Sequence, residues 1–95
     1  MTKKNLELSV MMIEDTDKGG YTIMIDEIHS AFADGATKEE ALTELVETVN
    51  QLIKDYEENG FDIVSLMSEE EKEYMEWLRP YKNNLKGIEE LIKNA

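Results

Sequence analysis

The stretch Phe32–Val49, FADGATKEEALTELVETV, passes from a strand-like end through an Asp-Gly pair into a helix start within a few residues. Asp34 and Gly35 end the strand, both being residue types that turns favour. Thr37 caps a helix by accepting from the backbone of Glu40, and Glu40 reaches back to Thr37, which is the reciprocal T-x-x-E box. Lys38, Glu39 and Glu40 follow, with acidic groups in the first turn, where the helix dipole favours them. Ala41, Leu42, Leu45, Val49, Leu52, Ile53 and Tyr56 then recur at spacings of three and four, while Glu40, Glu44, Glu47, Gln51, Lys54 and Asp55 lie elsewhere. The spacing predicts a helix from Thr37 to about Glu57 with one apolar stripe for a sheet to cover. Asn59 and Gly60 stop it, either being able to take the left-handed closing conformation.

Upstream, Leu6, Leu8, Val10 and Met12 alternate with Glu7, Ser9 and Met11, the period of a strand with one buried face. Asp15–Gly20, DTDKGG, collects turn formers before Tyr21, Ile23 and Ile25 alternate in a second strand, so the pair reads as a hairpin. Ile28, Ser30 and Phe32 supply a third, shorter strand. Downstream, Phe61–Leu66, FDIVSL, is β-branched and apolar enough for a fourth strand, with Phe61, Ile63 and Ser65 on one face. Ser68–Glu71, SEEE, is a second capping signature; Tyr74, Met75, Trp77 and Leu78 form an apolar side, and Pro80 interrupts it. A last short helix uses Tyr81, Leu85, Ile88 and Ile92, weakened by Gly87 by up to about 1 kcal/mol. The expected class is α+β: a three- to four-stranded, mainly antiparallel sheet, one long helix across it, and a short helical C-terminal extension. Residues 1–66 form the α+β domain and residues 67–95 the acidic extension, which has no basic recognition helix and hence no DNA-binding domain.

Ninety-five residues suffice for one such domain, and 41% hydrophobic content argues against disorder. With no run of about 18 apolar residues and no signal-peptide pattern, a soluble cytoplasmic protein with no membrane contact is expected. The absence of cysteine removes thiolate metal sites, disulfides and cysteine nucleophiles. His29, the single histidine, stands beside Asp26 and Glu27 and so raises the question of a metal or acid–base site, but one histidine without cysteines makes a poor one. It reads as a surface or strand-edge residue. No catalytic residue, metal or cofactor is expected.

The net charge is −12, and both halves of the chain are acidic. A field of that sign repels phosphate backbones and steers basic partners inward, so direct nucleic-acid binding is not expected and a basic protein partner is. The contact is sought first among Glu39, Glu40, Glu44 and Glu47 on the helix, and second at Asp26 and Glu27, taken to lie at a nearby sheet end. Tyr74, Trp77 and Tyr81 form an aromatic cluster that either docks the C-terminal helices or anchors an interface. A small open sheet also leaves an edge uncovered, for which two-fold pairing into a homodimer is the common remedy.

Taken in order, the first strand, the Gly-rich turn, YTIMIDEI, a short strand and ADGATKEEALTEL resemble the HicB antitoxin family over about residues 5–57. The family shows a tyrosine-led strand and then G-x-T-x-E-E-A opening a long helix; Tyr21, Gly35, Thr37, Glu39, Glu40 and Ala41 match that pattern. The resemblance implies a degraded RNase-H-like β-β-β-α-β domain that blocks a small basic ribonuclease, a HicA-like toxin, by protein–protein contact. True RNase-H enzymes hold two metal ions with convergent carboxylates, for which Asp15, Asp26 and Asp34 are the candidates here; they sit near strand ends rather than at matched inward positions. Family members commonly carry P-x-L/I-P/H-G between the second and third strands, where this chain has DEIHSAF, and many append a DNA-binding domain. The chain thus reads as an orphan or phage-type relative. The alternatives are an acidic nucleic-acid mimic that blocks a DNA-binding host enzyme, and a purely homo-oligomeric protein.

Overall fold

A computed structural model describes residues 7–59 and 68–94. Strands β1 (Val10–Glu14), β2 (Tyr21–Ile25) and β3 (Phe32–Gly35) form an antiparallel sheet in the order β1-β2-β3. Helix α1 (Lys38–Asn59) crosses one face of it, followed by α2 (Glu69–Leu78), a 3-10 turn (Arg79–Tyr81) and α3 (Leu85–Lys93). The class is α+β. The fourth strand expected over Phe61–Leu66 lies outside the described residues.

The hairpin turn between β1 and β2 is built as its composition demands. The Asp15 carboxylate accepts the backbone N–H groups of Asp17 and Lys18 at 3.0 and 3.1 Å. Gly19 and Gly20 take φ of +79° and +91°, which only glycine adopts without strain. The resulting register sets Met12 opposite Ile23 and Val10 opposite Ile25. Val10, Met12, Ile23 and Ile25 therefore share the face turned to α1, and Met11, Ile13, Met24 and Phe32 share the outer one.

The third strand differs from its expected form. It begins at Phe32 rather than Ile28, because the chain curls first: Ile28 N–H donates to the Ile25 carbonyl and Ala31 N–H to that of Ile28. Ile28 is buried from within this turn, and the inward residues next to β2 are Ala31 and Ala33. Phe32, expected on the face of Ile28, points outward and is 57% exposed. Small residues inside β3 allow α1 to lie directly on that strand, and α1 packs more extensively on β3 than on any other element. Asp34 and Gly35, expected to end the strand, are its last residues.

Helix α1 buries Ala41, Leu45, Val46, Val49 and Ile53 against the sheet and α3, with Leu42, Leu52 and Tyr56 half-buried beside them. Val46 was not in the expected stripe. Ser68 caps α2 by accepting from Glu71 N–H, and Asn84 caps α3 by accepting from Gly87 N–H. Gly87 has a positional reason, since a Cβ there would lie 2.6 Å from the Asn84 amide that makes the cap. Tyr74, Met75 and Leu78 of α2 and Ile88 and Ile92 of α3 join the same buried cluster as Ile23, Ile25 and Leu45. Each such side chain contributes about 1.5–3 kcal/mol by burial. The C-terminal helices thus share the core of the sheet and α1, and the boundary placed at residue 66 does not divide that core.

Candidate protein-binding surface

The helix start supplies the first part of the surface. Glu40 N–H donates to Thr37 Oγ1 at 3.1 Å, the expected cap, but the Glu40 carboxylate accepts from Ala36 N–H at 2.9 Å rather than from Thr37. Glu40 is thereby fixed at the mouth of a shallow cleft of about 440 Å³ that Asp34, Glu39, Thr43 and Glu44 also line. Asp34 stands at the end of β3, where its carboxylate accepts from the Thr22 hydroxyl at 2.6 Å. Thr43 turns its hydroxyl to the Glu39 carbonyl at 3.0 Å, leaving the carboxylates to face the cleft rim. Glu47, one turn past Glu44, is exposed outside the cleft.

Among the described residues, no lysine or arginine forms an ion pair with Asp34, Glu39, Glu40, Glu44 or Glu47. Glu40 and Glu44 are like charges at i and i+4, an arrangement that costs a few tenths of a kcal/mol in an isolated helix. The far end of α1 contrasts with this. There Glu57 meets both Lys82 and Arg79, the latter at 3.5 Å, and Arg79 also holds Glu76 at 3.1 Å. The hydrogen bond from Lys82 keeps the Glu57 carboxyl below its usual range, with Arg79 helping. The Tyr56 hydroxyl donates to Glu76, which lowers that carboxyl and raises the phenol. Acidity is neutralised at one end of the helix and left open at the other.

An apolar field borders the open end. Met11, Ile13 and Phe32 are 49%, 48% and 57% exposed on the outer sheet face, and Asp34 shares that face two residues after Phe32. Apolar area beside charged groups is the usual build of an interaction surface. The sequence named Glu39, Glu40, Glu44 and Glu47 but missed Asp34, Met11, Ile13, Met24 and Phe32, whose shared face depends on strand register.

The other residues singled out lie elsewhere. Comparison of the chain with protein-family models, with curated proteins and with solved structures finds no match. Asp26 and Glu27 follow the C-terminal end of β2, whereas α1 starts beside Gly35, opposite Tyr21 at its other end, so they do not extend the acidic cleft. Glu27 is occupied locally, accepting Ser9 N–H at 2.7 Å. His29 is on the turn before β3 with its side chain 84% exposed, and its Nδ1 lies 3.7 Å from Glu71. Asp15, Asp26 and Asp34 do not converge: the first builds the hairpin turn, the second follows β2, and the third binds Thr22. Among the described residues no group of His, Asp and Glu is arranged to hold a metal ion, and no helix is long and apolar enough to cross a membrane. Tyr74 is buried, with its hydroxyl on the Glu7 carbonyl at 2.9 Å and its ring edge-on to Trp77 at 6.2 Å. Trp77 and Tyr81 line a separate cleft of about 450 Å³ with Leu8 and Leu91.

Proposed function

We propose that this protein is a non-catalytic inhibitory binding protein of the antitoxin kind, which acts in the cytoplasm by capturing a small basic ribonuclease resembling HicA toxins. The observation that carries the reading is the set of carboxylates at Asp34, Glu39, Glu40 and Glu44, which among the described residues have no ion-pairing cation and which border an exposed apolar sheet face. Such a surface complements the basic, phosphate-binding surface of a ribonuclease. Charge complementarity of this type raises association rates and is screened by salt over roughly 8–10 Å at physiological ionic strength. The match of Tyr21, Gly35, Thr37, Glu39, Glu40 and Ala41 to the antitoxin pattern supports the same class of partner.

The test is capture from the native host followed by binding of the purified pair. A small basic ribonuclease is expected, inhibited by the chain, with affinity falling as salt rises. Reversing charge in the double variant E39K/E44K is expected to weaken that complex by at least about tenfold, or 1.4 kcal/mol, with an unchanged circular-dichroism spectrum. Capture of a large DNA-processing enzyme instead would replace this reading with the nucleic-acid-mimic one. RNA cleavage by the purified chain would overturn both.

A further inference from the structure

Among the described residues the outer edge of β1 is unpaired, and it carries a second surface. Pairing with β2 determines which of its backbone groups are used. Asp26 N–H donates to the Ser9 carbonyl and Asp15 N–H to that of Gly20, so in this register the hydrogen-bonded positions of β1 are the odd ones, Met11 and Ile13. The N–H and C=O groups of Val10, Met12 and Glu14 therefore point away from β2, and among the described residues no strand flanks them. The strand, VMMIE, has neither proline nor lysine, its register is unbroken by a bulge, and its one charge, Glu14, stands at its last position, so its first four residues lack the usual devices that blunt an edge.

These outward groups are self-complementary. A second copy laid antiparallel with Met12 opposite its own counterpart places Val10 opposite Glu14 of that copy, and the reverse. Every outward N–H and C=O then has a partner, two hydrogen bonds at each pair. The side chains agree with this register. Met11 falls opposite Ile13 of the second copy, apolar against apolar, and both are about half exposed in the single chain. Met12, 38% exposed, lies at the margin of a groove on the α1 side of the sheet, whose apolar floor is Val10, Ile23, Leu42 and Ile92 and whose rim carries Lys38, Glu39, Glu89 and Lys93. Glu14 shares that face of β1, so the second copy's glutamate is set opposite Val10 on the α1 side of the sheet, where Lys93 pairs with Glu89 at 3.2 Å.

We propose that the β1 edge is a homodimer interface in which two copies pair antiparallel about Met12, joining two three-stranded sheets into one. The β1 edge lies on the opposite edge of the sheet from β3, and the groove beside it meets the acidic cleft only at Glu39 and Thr43 of α1.

The experiment is analytical ultracentrifugation of the full chain across micromolar concentrations, with three variants. The native chain is expected to sediment at twice 11.0 kDa. Met12→Lys is expected to raise the dimer dissociation constant at least about tenfold, while Phe32→Ser on the outer face leaves it unchanged. The double variant Met11→Cys/Ile13→Cys, in a chain without other cysteines, puts thiols at the closer, non-hydrogen-bonded pairs of this register and is expected to form intermolecular disulfides under mild oxidation, which tests the register without altering charge. A monomer at every concentration would overturn the proposal and show the edge to be covered by the chain itself or left open. A dimer that survives Met12→Lys and dissociates in Phe32→Ser would overturn it in favour of packing between outer faces.

Discussion

Gly35 is the residue on which the strand-to-helix switch depends. A Cβ added there would lie 2.3 Å from Ala41 N, 2.7 Å from the Glu40 carbonyl carbon and 2.8 Å from Ala41 Cα. These are backbone atoms, so the clash is relieved only by moving the first turn of α1 off β3. Gly35→Ala is expected to destabilise the fold by about 2–3 kcal/mol, which lowers the melting temperature by roughly 10 °C or more in a domain of this size. Thermal denaturation followed by circular dichroism measures this, and an unchanged midpoint would show that the helix start is free to shift. At this scale much was legible in the sequence: Thr37 announces the cap, and Asp15 with Gly19 and Gly20 announces the turn. The partner of the Glu40 carboxylate was not, because Ala36 and Thr37 are adjacent and only the backbone conformation between them decides which N–H turns towards it.

Among the elements, the C-terminal end of α1 is joined to the 3-10 turn by the ion pairs of Glu57 with Arg79 and Lys82. The Glu57 carboxyl is held below its usual value of about 4.5 in the folded chain. A group depressed in this way stabilises the fold above its unfolded value and loses that contribution as pH falls through its lower folded value. Acidification also relieves the repulsion of a −12 chain, so the contribution is read as a difference between variants. Glu57→Gln is expected to melt below the native chain at pH 7, and the gap is expected to close as pH falls below about 4.5; a gap independent of pH would overturn the assignment. The long helix and α2 were legible from their periodicity and caps, α3 from its periodicity alone, since Tyr81 lies in the 3-10 turn and the Asn84 cap was not read, and β3 only in part. A period of two through Ile28, Ser30 and Phe32 imitates a strand, yet local hydrogen bonds from Ile28 and Ala31 curl the chain there and reverse which side chains face inward.

The molecule as a whole has one core drawn from both ends of the chain. Tyr74, Met75, Leu78, Ile88 and Ile92 lie in the same buried cluster as Ile23, Ile25 and Leu45. At roughly 2 kcal/mol for each buried side chain, the part supplied by α2 and α3 is comparable to the whole stability of a small domain. A chain ending at residue 67 is expected to show no cooperative thermal transition, and a sharp melt of that fragment would contradict the shared core. The candidate surface was legible to a similar degree as the fold: the carboxylates of α1 stand at readable spacings, whereas their meeting with Asp34 and the apolar outer face needs the sheet register. The shared core also bears on synthesis. A ribosome adds about 5–20 residues per second, so the sheet and α1 leave the exit tunnel well before Ile88 and Ile92 can reach them. During those seconds the nascent chain presents the apolar side of a helix and a sheet with nothing yet in place to cover part of it, open to chaperones, proteases and other nascent chains.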